Sequence, residues 1–172
     1  MADFGPSRSI VDRMRGAAAL DVATYEEVEA DVNATGQAAI VVVIAAIAAG
    51  FGSYRFGPFH IIGSVVSELL GWASWAAITY WIGTRFFGGT ATWGELARTL
   101  GFARAPGVLL VLGIIPVLGP LVWIVVSIWM LVAGIIAIRQ ALDVDTGKAV
   151  LVAIAGWLVN VIIHWLLAGL RY

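Results

Sequence analysis

The chain has 172 residues, of which 61% are hydrophobic and only 12% charged, with a net charge of -1 and a mean hydropathy of +0.96. Soluble domains usually carry about twice that charged fraction. The longest polar stretch, residues 1–31, is too short to bury a core of its own, so a soluble catalytic domain is excluded. There is no cysteine, which removes disulfides, thiolate nucleophiles and Cys-based metal sites.

The N-terminal segment 1–31 lacks the apolar stretch of a signal peptide, being interrupted by Asp12, Asp21, Glu26, Glu27 and Glu29. Ile10, Met14, Ala17 and Ala18 recur at helical spacing among Arg8, Asp12, Arg13 and Arg15, which predicts a short amphipathic helix at the membrane surface. Thr24 and Glu27 have the spacing of a capping box. Tyr25, Val28 and Val32 continue one apolar stripe, so a single helix is expected from about Tyr25 to Gly50.

Apolar runs occupy the rest of the chain, and about 20 apolar residues suffice to cross the hydrocarbon core. They predict spans at 35–53, 61–84, 100–118, 120–138 and 149–169. The uncharged run 105–138 is too long for one span, and Pro116 and Pro120 fold it into a hairpin. The uncharged part of the third span, Ala105–Leu118, is only 14 residues, a length that also suits a re-entrant segment. Before it, Gly88-Gly89-Thr90 breaks the chain. Thr90 or Thr92 then caps a short amphipathic helix carrying Trp93, Leu96, Ala97 and Leu100, placed in the headgroup layer with Arg98. Turn residues 143–147 join the last two spans.

Five alternating spans with a cytoplasmic N-terminus put Arg8, Arg13, Arg15, Arg85, Arg98, Arg104, Arg139 and Lys148 inside, and only Arg55 and Arg171 outside. That distribution obeys the positive-inside rule. The expected fold is therefore an all-α polytopic integral membrane helix bundle. It comprises a cytoplasmic or interfacial segment, 1–31, and a transmembrane domain, 32–172. The expected location is the inner or plasma membrane. A preference for Arg over Lys, with much Ala, Gly and Val, suggests a GC-rich bacterial genome.

Glu68 is the only acidic residue within an apolar span. His164 lies at similar depth in the last span, with Asn160 one turn away on the same helix face. A carboxylate in lipid costs a few kcal/mol unless paired or protonated. Glu68, Asn160 and His164 therefore form a candidate intramembrane polar cluster. It is either a proton or ion site or a packing contact; a third reading makes His164, with His60 nearby, a haem or chlorin ligand. Eight tryptophans read as interfacial anchors (Trp93, Trp165) and packing groups. No catalytic constellation and no metal-binding spacing occurs, and no cofactor or nucleic-acid partner is expected.

The segment Trp93-Gly94-Glu95-Leu96 through Gly101-Phe102-Ala103-Arg104-Ala105-Pro106 resembles the Yip family of five-span membrane proteins. Gly101, Phe102 and Pro106 match its pattern of a Gly-aromatic pair followed by a Pro at the start of the middle span. The resemblance implies a non-enzymatic role in membrane organisation or traffic, exerted through other membrane proteins. The Asp-Leu-Tyr-Gly-Pro motif of eukaryotic members is missing before the first span, although Phe56-Gly57-Pro58-Phe59 is similar to part of it. Binding to Ypt/Rab-type GTPases is accordingly not carried over. The leading expectation is a scaffold or accessory subunit that contacts lipids, other integral membrane proteins or itself. The rivals are a small proton- or ion-linked transporter or channel using Glu68 and His164, and a cofactor-carrying subunit of a respiratory or photosynthetic complex.

Overall fold

The computed structural model describes residues 8–53 and 58–169, with the side chains of 58–61, 64 and 160–169 excepted. Within these residues the regular secondary structure is all helical, joined by short turns. The elements are α1 (Ile10–Ala18), α2 (Val22–Ala30), α3 (Ala34–Gly52), α4 (Pro58–Phe86), α5 (Trp93–Phe102), a 3₁₀ segment (Ala105–Ile114), α6 (Gly119–Leu142) and α7 (Thr146–Gly169).

Three stretches are long and apolar enough to cross a membrane among the described residues: Ala34–Gly52, Trp93–Ile114 and Gly119–Leu142. Contacts between helices fix their directions. Gly101 meets Ala38, Gly107 meets Ala45 and Gly113 meets Gly52, so α3 runs parallel to the α5–3₁₀ segment. Trp72 Nε1 donates to Ala97 O and Trp93 Nε1 to Ala73 O, which sets α5 antiparallel to α4. Gly107 against Met130 and Gly113 against Trp123 make α6 antiparallel to the 3₁₀ segment, and Gly156 against Trp75 and Thr79 joins α7 to α4. Successive segments from α3 to α6 thus alternate in direction.

The third segment is where sequence and structure differ most. It begins at Trp93, not near Leu100. Residues 96–102 are buried against the neighbouring helices, so α5 packs within the bundle and continues directly into the third segment. Of the two expected caps, Thr90 and Thr92, it is Thr92 that serves, and Glu95 completes a reciprocal capping box with it. At Ala103–Ala105 the helix tightens to 3₁₀ geometry, with Gly107 N donating to Arg104 O. Three residues per turn place positions i and i+3 in line. Gly107, Leu110 and Gly113 therefore form one row, and this row lies on α3. An added Cβ at Gly107 would come 3.0 Å from Ala45 Cβ, and one at Gly52 would overlap the Leu110 carbonyl. Small residues are what allow the two backbones to approach.

The N-terminal segment also departs from expectation. The helix from Tyr25 to Gly50 is interrupted: α2 ends at Asp31, and a turn through Asn33 starts α3. Thr24 is not the cap of α2. Asp21 takes that place, accepting from Ala23 N, while the buried Thr24 donates to Asp21 Oδ2. Ser9 caps α1, whose Arg13 and Ala17 face is buried against protein. Trp129 Nε1, halfway along α6, donates to Ala18 O at the end of α1, and Gln140 Nε2 donates to Glu26 on α2. The α1–α2 hairpin therefore lies along α6 and over α5. The Pro116–Leu118 turn closes the opposite end of the bundle, as the prolines predict.

Candidate functional site

Arg13 is 1% exposed, which is rare for a charge unless it is paired. Its Nε donates to Glu27 Oε1 at 3.1 Å, Nη1 to Gln37 Oε1 at 2.9 Å and Nη2 to Asp31 Oδ2 at 2.7 Å. Arg8 adds a 3.1 Å contact to Glu27. One guanidinium thus joins α1 to the end of α2 and the start of α3, using the fork geometry that distinguishes Arg from Lys. Burial opposes ionisation of Asp31, but the Arg13 hydrogen bond and the Asn33 N–H outweigh it and hold the carboxyl below its ordinary value.

Arg98, 6% exposed, reaches from α5 to the last carbonyls of α2. Its Nε donates to Val28 O and Glu29 O at 3.0 Å, and Nη2 also donates to Glu29 O. A cation at a helix C-terminus satisfies orphan carbonyls and suits the dipole. The Glu29 carboxyl is pushed up to about 7, first by desolvation and then by Asp143 and Glu95, with Arg98 opposing. Thr90 ties the neighbouring loop to the α6–α7 turn, its N–H donating to Leu142 O and its hydroxyl to Asp143. Asp143 adopts a left-handed conformation (φ 53°), a position that Asp tolerates.

On the half-exposed side of α4, Glu68 Oε2 lies 3.5 Å from Arg104 Nη1, and the Arg104 guanidinium carbon sits 5.9 Å from the Trp75 ring centroid. Sequence depth suggests His164 as the partner of Glu68; the partner among the described residues is Arg104. Asn160 and His164 lie on helical turns of α7, but their side chains fall outside the described residues, as do those of His60 and Trp165. A groove of ≈ 180 Å³ opens beside this pair, lined by Trp75, Leu100, Arg104, Ser127, Leu131 and Gly134 among others.

The family-like positions serve packing. Gly101 lies on α3, where an added Cβ would come 2.7 Å from Ala38 Cβ. Phe102 and Pro106 are buried, at the junction where α geometry gives way to 3₁₀. No group of acidic or His side chains able to hold a metal occurs among the described residues.

An all-helical bundle of long apolar segments, with its few buried charges satisfied internally, defines a multi-pass membrane protein. A family model described as the Yip1 domain matches residues 22–168, and the chain belongs to that family. The match includes α2 as well as the apolar segments. No curated protein and no solved structure was found to match.

Proposed function

We propose that the protein is a non-enzymatic membrane scaffold or accessory subunit, with five spans and a cytoplasmic α1–α2 end, that binds other integral membrane proteins or copies of itself. One observation carries this reading. Each polar residue buried among the described residues, namely Arg13, Thr24, Thr79, Arg98 and Thr99, is engaged in a structural hydrogen bond. Arg13 and Arg98 lock the N-terminal helices to the bundle. Thr24 bonds Asp21, while Thr79 and Thr99 bond carbonyls one turn back. Such groups rigidify a platform, and none is held in readiness for a reaction.

The exposed surface supports the same reading. Leu121, Trp123, Ile124, Val125 and Ile128 on α6 and Leu109, Leu112 and Ile114 on the 3₁₀ segment are exposed, giving an apolar hairpin for lipid and for neighbouring helices. The inner or plasma membrane is the proposed location. The test is purification from the native membrane in mild detergent. A stable homo-oligomer or a reproducible partner complex is expected; a strictly monomeric, partner-free protein would overturn the proposal.

The transporter reading keeps one supporting observation, the pairing of Glu68 with Arg104. Intramembrane ionisable residues mark functional sites by default, and its test is a flux measurement described below.

A further inference from the structure

The two sides of the bundle expose apolar surface over different heights. Gly134 meets Trp75 and Gly83 meets Leu142. The same number of residues separates these contacts on each helix, so α4 and α6 stay in register, and Ile62 on α4 lies level with Leu121 on α6. Both are exposed and set one outer border. The inner borders differ: exposed apolar side chains continue on α4 to Trp81 and Phe86, whereas on α6 they stop at Val132. At about 1.5 Å per residue, the exposed strip is about 28 Å tall on α4, from Ile62 to Trp81, and about 17 Å on α6. The strip on α3, from Ile40 to Phe51, is also about 17 Å. On α7 it follows α4: Gly156 lies level with Trp75 and Thr79, and Leu151 and Ile154, nearer the α6–α7 turn, are exposed. A full hydrocarbon core is about 30 Å thick. The α4–α7 side matches it, and the α3–α6 side covers little more than half.

The α1–α2 hairpin fills the difference. Trp129 Nε1 donates to Ala18 O and Gln140 Nε2 to Glu26, so the hairpin tip reaches about 20 Å in from Leu142, the end of α6. Its outer face is charged: Arg15 and Asp12 are 79% and 56% exposed, and Arg8 and Asp21 are close to half exposed. Exposed charges are costly in hydrocarbon, so headgroups and water follow the hairpin to this level. On the long side, the exposed Arg85 and Lys148 stand just beyond Trp81 and Leu151, a basic and aromatic border of the kind that marks a membrane surface. Tilting the bundle would displace outer and inner borders together, which the level pair Ile62 and Leu121 excludes.

We propose that the protein is a wedge in its bilayer. Its α4–α7 side sits in hydrocarbon of ordinary thickness. On its α3–α6 side the α1–α2 hairpin takes the place of lipid in the nearer leaflet and draws the headgroups about 12 Å deeper. The partner of this face is phospholipid, locally thinned. Two arginines and two aspartates leave the hairpin face without net charge, so zwitterionic headgroups suffice.

The chain has no cysteine, so single nitroxide labels can be placed on the full-length protein at exposed positions: Ala19 at the hairpin tip, Ile124 on α6 and Leu151 on α7. In dioleoylphosphatidylcholine vesicles, collisions with oxygen report hydrocarbon and collisions with a neutral nickel chelate report water. The Ala19→Cys label is expected to collide with the chelate. The Leu151→Cys label should collide with oxygen alone, although Leu151 lies roughly 15 Å closer to the α6–α7 end of the bundle. Ile124→Cys should also read as hydrocarbon, and a short, narrow distance between labels at Ala19 and Ile124 shows the hairpin docked. Exclusion of the chelate from Ala19 would overturn the proposal, because the hairpin would then lie in lipid of uniform thickness. Chelate access at Leu151 would overturn it too, since the α4–α7 strip would face water, and so would a long or broad Ala19–Ile124 distance.

Discussion

Arg13→Met should release the α1–α2 hairpin from the bundle while leaving the spans folded. Met keeps the apolar length of the stem but removes three donor contacts, to Glu27, Gln37 and Asp31. Asp31 then loses its cationic partner, and Glu27 keeps only Arg8. Removing one member of a buried ion pair costs about 3–5 kcal/mol. The side chains of Glu27 and Asp31 are 14% and 24% exposed and recover some hydration, which places the expected loss near the lower end, about 3 kcal/mol. That corresponds to roughly a hundredfold rise in the population of the undocked hairpin. Amide hydrogen exchange in micelles reads it directly, because local opening is reported helix by helix. Amides of α2 should exchange about a hundredfold faster, whereas those of α6 between Trp129 and Ile138 change far less. Arg13→Lys, which retains the charge but not the fork, should fall between the two. Equal protection of α2 in wild type and Arg13→Met would refute the reasoning, and so would a uniform loss of protection across all helices.

Three further outcomes are expected. Gly52→Ala, which drives a methyl into the Leu110 carbonyl, should destabilise the bundle by about 1–3 kcal/mol, whereas Gly36→Ala, with nothing within 4 Å, should be neutral or stabilise by up to about 1 kcal/mol; denaturant titration of the two proteins in micelles compares them. The Glu29 pKa is raised to about 7 in the folded protein, so its contribution favours the docked hairpin fully below the ordinary carboxylate value near 4.5 and is lost as pH rises through about 7. The thermal midpoint should accordingly fall between about pH 4.5 and 7 and level off above that, and Glu29→Gln should flatten that slope. Glu68→Gln should leave liposome proton flux at the background of empty vesicles, equal to wild type; a wild-type flux abolished by this change would favour the transporter reading.

Much of the fold is legible because burial in a bilayer writes itself as uninterrupted apolar length. The long apolar helices, the Pro116–Pro120 reversal and the cap at Thr92 all follow from local chemistry. Harder to read are contacts that charged residues make across long separations. Arg98 looks like a headgroup anchor until α2, some 70 residues earlier, presents carbonyls to it. Arg13 looks like the polar face of a surface helix until Glu27, Asp31 and Gln37 converge on it. Glu68 is visible as an anomaly, but its partner depends on how deep the third segment starts. Hydropathy alone does not separate α from 3₁₀ geometry either. The spacing of Gly107, Gly113 and the intervening Leu110 carries that information, once a partner helix is known to lie along it.

The 3₁₀ stretch also makes this part of the chain countable in threes. Ten residues advance about 20 Å at 2.0 Å each, against about 15 Å in an α-helix, so the uncharged segment reaches further than its length suggests. One residue gained or lost between Gly107 and Gly113 would rotate everything beyond it by about 120° and turn the glycine row away from α3. A gain or loss of three would preserve the row and change only the depth of the Pro116 hairpin. Among related chains, length differences in this stretch should therefore fall in multiples of three, and elsewhere in the spans they need not.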